Sequence, residues 1–187
     1  MKKIKQFFKA FFRSGATNLE LQKQIRKLEE EKIHDPLTKV YNRRFLEEFG
    51  GAEFERAERY KRPLTLIFLD IDEFKRINDQ QGHLVGDQAL EIVAVLLSNY
   101  SRKSDFVFRY GGDEFLVMMP ETEEDGARQF LERINWELGF TSLRVSSGIA
   151  TFRADNAILR DEFSSLKGLI DAADRRMRQE KESKVKA

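Results

Sequence analysis

The stretch "FRYGGDEFLVMM", Phe108 to Met119, sets two glycines and two carboxylates, Gly111, Gly112, Asp113 and Glu114, between two short apolar runs. The flanking segments "DFVFRY" and "EFLVMM" are strand-like, and only glycines and an acid part them, so the spacing predicts a β-hairpin with acids at its turn. Gly111 and Gly112 supply that turn and, lacking side chains, let a ligand approach the backbone.

Upstream, "LTLIFLDI" begins just after Pro63 as an apolar, partly β-branched run, the pattern of a buried strand, and its acids Asp70 and Asp72 fall where it leaves the core. Ala89, Val93, Leu96, Leu97 and Tyr100 mark one face of the helix that follows. Beyond the hairpin, Thr122 opens a capped helix with Ala127, Phe130, Leu131, Ile134 and Leu138 inward. "SLRVSSGIATF" reads as another strand, and Leu166, Leu169, Ile170, Ala173 and Met177 give a last helix. A helix from "RRFLEEF" to Tyr60 precedes all of these, weakened or kinked at Gly50-Gly51. The order α, β, α, β, β, α, β, α contains the ferredoxin-like βαββαβ core of an α+β fold, an antiparallel sheet with helices on one face.

If the first strand and the hairpin are neighbours, Asp70, Asp113 and Glu114 converge. Clustered carboxylates repel one another unless a cation holds them, and oxygen-only ligands select Mg²⁺ or Mn²⁺. Taken singly, each motif also fits a solvated hairpin turn or a surface charge; their combination, with this order of elements between them, favours a metal site.

Composition narrows the classes. With 187 residues and 41% hydrophobic content, the chain suits one globular domain plus extensions. The absence of cysteine excludes a disulfide framework and thiolate metal sites, and His34 and His83 make no cluster for zinc. Net charge is +1, but Lys2, Lys3, Lys5, Lys9 and Arg13 lie in residues 1–14 without an acid, leaving the remainder at −4, which argues against nucleic-acid binding. No apolar run approaches the roughly 18 residues of a membrane span, and the phenylalanine-rich start lacks the core of a secretion signal. The expected location is cytoplasmic, with membrane association through the start of the chain left open.

That start has its own pattern. Ile4, Phe7, Phe8, Phe11 and Phe12 recur at helical spacing with most lysines opposite, fitting either peripheral membrane contact or a short basic helix docked on the protein itself. In "NLELQKQIRKLEEEKI", Leu21, Ile25 and Leu28 form a narrow seam that a dimeric coiled coil would bury. Two heptads are few, and Lys32 takes the next seam position, so packing on the main domain is the competing reading. The expected organisation is a basic segment 1–14, a helical dimerisation segment 15–34, a catalytic domain 35–182 and a tail 183–187.

"RYGGDEF" resembles the signature of the GGDEF-domain family, the diguanylate cyclases. "DPLTKVYNRR" (Asp35 to Arg44), "FLDIDEFKRIND" (Phe68 to Asp79) and "GHLVGDQAL" are similar to three further motifs of that family in the same order, over roughly residues 34 to 182. The resemblance implies the ferredoxin-like palm fold and condensation of two GTP into cyclic di-GMP with release of pyrophosphate. It implies that Asp70 and Asp113, with the carbonyl of Ile71, hold two Mg²⁺ (or Mn²⁺) ions beside Glu114 in a two-metal displacement. Glu73 and Phe74 would offer amides, and Lys75 a charge, to the triphosphate near Gly112, while Asn78 and Asp87 would pair with guanine.

The family's last helix carries a pattern like AKxxGR; here "RRMRQEKESKVKA" keeps Lys181, but Lys184 replaces the glycine and Val185 the arginine. Lys184 or Lys186 then either substitutes for the arginine or belongs to a frayed basic tail. "RKSD", Arg102 to Asp105, matches the family's RxxD inhibitory site, with Arg133 in support, and would bind cyclic di-GMP. Because the product needs two facing substrates, the implied active species is a homodimer, favoured by tethering through residues 18–33. No receiver or PAS domain fits in the first 34 residues, so control is expected from the amphipathic start, a partner or product inhibition. The alternative reading is a non-catalytic cyclic di-GMP receptor acting through its N-terminal helices.

Overall fold

The computed structural model describes residues 18–155 and 163–186, so the expectations for residues 1–14 lie outside the described residues. In chain order the elements are α1 (Asn18–Ile33), β1 (Tyr41–Asn42), α2 (Arg43–Tyr60), β2 (Leu64–Ile71), α3 (Phe74–Gln81), α4 (His83–Tyr100), β3 (Phe106–Arg109), β4 (Glu114–Pro120), α5 (Glu124–Leu138), β5 (Val145–Phe152) and α6 (Leu166–Lys186). Among the described residues, those up to Ile33 and those from His34 onward form separate compact units. Within the first, α1 leaves Ile25, the middle residue of its seam, exposed. No helix among the described residues is long and apolar enough to cross a membrane.

All eight residues of β2 are buried. An apolar strand without alternation is what a strand covered on both faces requires, and its side chains divide accordingly. Ile67, Leu69 and Ile71 pack with Val93 and Leu97 of α4 and with Phe130 and Ile134 of α5. Leu64, Leu66 and Phe68 pack with Leu46 and Phe54 of α2 and with Leu169 and Ala173 of α6. Helices therefore cover both faces of the sheet rather than one: α4 and α5 are the crossovers of the ferredoxin-like core, and the flanking helices α2 and α6 supply the second layer. The strand order β1-β3-β4-β2-β5 contains that core, and the parallel pairing of β1 with β3 makes the sheet mixed.

Three local expectations change. Helix α2 runs unbroken through Gly50-Gly51; Gly50 is buried, and a Cβ there would stand 2.7 Å from Leu166 Cδ2, so the glycine admits a close packing contact instead of a kink. Thr122 does not cap α5, whose N-cap is Glu123 without a side-chain bond. The Thr122 hydroxyl donates to the Pro120 carbonyl (3.0 Å), and its own carbonyl accepts from the Thr65 hydroxyl (2.6 Å), tying the β4–α5 turn to β2. The basic end of the chain is helical as far as Lys186, so Lys184 is a residue of α6.

Helix α6 crosses β5 at Gly148, where a Cβ would run into the Ala173 carbonyl and the Met177 amide. Both obstacles are backbone and cannot rotate away. Gly148→Ala is expected to destabilise the domain by about 1–3 kcal/mol or more, read as a lower denaturant midpoint with an unchanged slope; an unaltered midpoint would mean that α6 is not seated as described.

Candidate active site

Residues at the end of β2 and in the β3–β4 turn meet through sheet pairing. Asp70 lies opposite Glu114 in the β2–β4 register, and the Ile71 amide donates to the Asp113 carbonyl (3.3 Å), so the pairing carries on into the turn. Asp70 is 8% exposed, one residue before the end of β2.

The turn closes on itself, the Tyr110 and Gly111 amides donating to the Glu114 carbonyl at 2.8 and 3.3 Å. Of the described glycines only Gly82 has a positive φ, 86°, so Gly111 and Gly112 do not provide the left-handed backbone that often makes glycine necessary. Gly111 provides room: a Cβ there would collide with the Glu114 carboxylate, whereas one on Gly112 would meet nothing within 4 Å. Gly112 is open to an approaching ligand, as its lack of a side chain suggests.

A clamp that motif reading passes over holds the turn in place. Arg109, the last residue of β3, donates from Nε and Nη2 to the Gly112 carbonyl (3.2 and 2.8 Å) and from Nη1 to both oxygens of Asp35 (3.1 and 3.3 Å). Asp35 also accepts from the Thr38 amide (2.8 Å) and hydroxyl (2.7 Å). Burial pushes the Asp35 carboxyl up, but these bonds and the guanidinium outweigh it and hold the group below the usual carboxylate range. The sequence signals were an Asp-x-x-Thr turn and a lone arginine ending an apolar strand. Arg43 of α2 lies 4.5 Å from the Tyr110 ring centroid, a second cation beside the turn.

The acids themselves are under electrostatic stress. Burial raises the Asp70 pKa, Lys181 opposes the rise, and the charges of Asp113 and Asp72 add to it. Burial likewise raises Glu114, reinforced by Asp70, Asp113 and Asp174 and opposed by Arg178. Lys181 Nζ donates to Asp70 Oδ1, and this partner raises the lysine pKa although burial works against it. Lys184 contacts Asp72 Oδ2 (3.2 Å), the Ser146 hydroxyl (3.2 Å) and the Val145 carbonyl (2.7 Å), so it stands at the base of the site rather than in a frayed end.

Among the described residues no group of three or more His, Cys, Asp or Glu side chains is arranged to hold a metal as it stands. Mg²⁺ habitually takes one or two carboxylates and completes its shell with water and phosphate rather than with a protein cage. The donors fit such an ion: all are oxygens, burial and then the neighbouring acids raise the Asp70 carboxyl, and an ammonium group already sits on it.

Next to this cluster, Glu73 is the left-handed N-cap of α3 (φ 56°) and pairs with Arg76 (2.6 Å), Phe74 packs against the core, and Lys75 is exposed. Asn78 lies against Gly86, where a Cβ would overlap its side-chain oxygen. Asp87 is exposed inside α4, past the helix start, so it does not serve as the cap. At the RxxD segment, Asp105 accepts from the Arg102 amide (2.8 Å), and its own amide donates to the Arg102 carbonyl (3.0 Å), a closed turn. Arg102 lines a groove of about 770 Å³ together with Arg56, Arg62 and Tyr60. Arg133 acts electrostatically on Tyr100, which is bonded to Glu137.

The sequence pattern of the family described as "Diguanylate cyclase, GGDEF domain" matches residues 32–187. The chain is 38% identical over 142 residues to diguanylate cyclase DosC of Escherichia coli, covering 75% of this chain and 31% of DosC. It is 40% identical over 134 residues to diguanylate cyclase DgcP of Pseudomonas aeruginosa, covering 67% of this chain and 20% of DgcP. It thus spans less than a third of the length of either relative. Among solved structures, the GGDEF domain of DgcB from Caulobacter crescentus in complex with c-di-GMP superposes with a TM-score of 0.74 at 27% identity, covering 81% of this chain and 89% of that one. By sequence pattern and by fold, the chain belongs to the GGDEF-domain family of diguanylate cyclases.

Proposed function

We propose that the chain condenses two GTP molecules into cyclic di-GMP and two pyrophosphates. The observation that carries this reading is the β2–β4 pairing that sets Asp70 against Glu114 with Asp113 next in the turn; burial and neighbouring acids push Asp70 and Glu114 towards protonation. In each half-reaction the 3′-oxygen of one GTP forms a bond to the α-phosphorus of the other, the bond to pyrophosphate breaks, and the hydroxyl proton leaves. Two divalent ions held by Asp70, Asp113 and the Ile71 carbonyl would neutralise phosphate charge and lower the pKa of that hydroxyl. Glu114, with its raised pKa, is suited to accept the proton.

The remaining residues bind and orient. The turn at Glu73 and Phe74, with Lys75, receives the triphosphate near the open Gly112; Asn78 and Asp87 pair with guanine; Lys181, which pairs with Asp70, would turn to phosphate were Asp70 to hold a metal. One domain holds one GTP, so the active species is a homodimer, aided by residues 18–33. Product binding at Arg102 and Asp105, with Arg133 in support, provides feedback, and the adjoining groove carries Arg56 and Arg62 alongside Glu53 and Glu121.

Purified protein incubated with GTP and Mg²⁺ is expected to yield cyclic di-GMP, identified by chromatography and mass. Asp113→Ala and Asp70→Asn should each lower the rate by about 10²–10³-fold or more. A dimeric wild type, free of bound cyclic di-GMP, that makes no product would overturn the enzyme reading in favour of a receptor.

A second measurement addresses the raised carboxyls. A carboxyl whose folded pKa exceeds its unfolded value binds more protons in the folded state, so its ionisation destabilises the fold as pH rises through that window. Without metal, Glu114→Gln should therefore raise the thermal midpoint at pH 7, and the gain should vanish below the ordinary carboxylate range. Mg²⁺ should stabilise the wild type at pH 7 more than it stabilises Asp70→Asn. A Glu114→Gln gain that persists unchanged in acid would remove the electrostatic account.

A further inference from the structure

Strand β5 ends the sheet order and presents an open edge. Three side chains of α6 meet the backbone of that edge in turn. Arg176 donates to the Ile149 carbonyl (2.6 Å), Glu180 accepts from the Ser147 amide (3.1 Å) and hydroxyl (3.2 Å), and Lys184 donates to the Val145 carbonyl (2.7 Å). The spacing is commensurate, since four residues of helix rise about 6 Å and two residues of strand about 6.8 Å. Glu180 and Lys184 are also paired with each other (2.9 Å).

Among the described residues, the last buried apolar side chain of α6 is Met177. Lys181, which pairs with Asp70, stands one turn farther on. Beyond Met177, the described contacts that seat the helix on the sheet include the polar ones of Glu180, Lys181 and Lys184.

We propose that Arg176, Glu180 and Lys184 form a side-chain ladder on the free edge of β5 that sets the register of the last turns of α6 and so positions Lys181 at Asp70. They are positioning residues, acting through Lys181 and, at the last rung, through the Lys184–Asp72 contact (3.2 Å) that ties the ladder to the start of the phosphate turn. The effect on turnover rests on the cyclase reading; the effect on the helix does not.

The test compares the full chain with Glu180→Ala, Glu180→Gln, Lys181→Ala and the double variant Glu180→Ala/Lys181→Ala. In Glu180→Ala, amide hydrogen exchange over residues 181–186 should quicken about tenfold, while residues 169–177 keep their protection. With GTP and Mg²⁺, kcat/KM should fall about 10- to 100-fold. Glu180→Gln, which retains an oxygen for Ser147, should recover most of that loss. In the Lys181→Ala background, Glu180→Ala should cost nothing further, because its effect passes through the lysine. Unchanged exchange over 181–186, or the full kinetic loss persisting without Lys181, would overturn the proposal. A wild type that makes no cyclic di-GMP but whose Glu180→Ala variant shows the exchange pattern would sink the cyclase reading while upholding the ladder.

Discussion

The pairing of β2 on both sides is the constraint on which the rest depends. The strand is bonded to β4 along one edge and β5 along the other, and buried against helices on both faces. A carboxylate at its end cannot escape to solvent by shifting, because a one-residue slip would exchange the two apolar layers. Asp70 is thus held at the margin of the core, opposite Glu114, by the packing of Leu64 through Leu69 rather than by anything at the site itself. Ionised acids so placed are costly unless met by cations, and the fold brings Lys181 to them from α6.

Much of this was legible in the sequence because it repeats with a period. The unbroken apolar run of β2, the inward face of α5 and the two apolar arms of the hairpin each follow from side-chain spacing, and each element lies where that spacing places it. The same run in β2 implied two covered faces, since a half-exposed strand alternates; the helices of the ferredoxin-like core cover one, and α2 and α6, outside that core, supply the second. Gly50 and Thr122 were misread. Their roles are set by Leu166 and Thr65, partners far along the chain, and local propensity carries no information about such contacts.

The site divides along the same line. Acids at the ends of strands are visible in one dimension, and so is a turn that contains them. The guanidinium of Arg109, joined to a carboxylate 74 residues earlier, is not. Lys184 falls between these cases: its departure from the expected glycine was visible at once, but its attachment to Asp72, Ser146 and Val145 depends on how α6 lies over β5.

The Asp35–Arg109–Gly112 linkage joins the start of the domain to the turn of the site. Asp35 is the second residue of the compact unit that begins at His34, and Arg109 joins it to the Gly112 carbonyl without an intervening flexible link. The point where the peptide comes into the domain and the loop that carries Asp113 are therefore two ends of one short strut. Tension or twist at residue 34 would therefore load hydrogen bonds that end one residue from a proposed metal ligand.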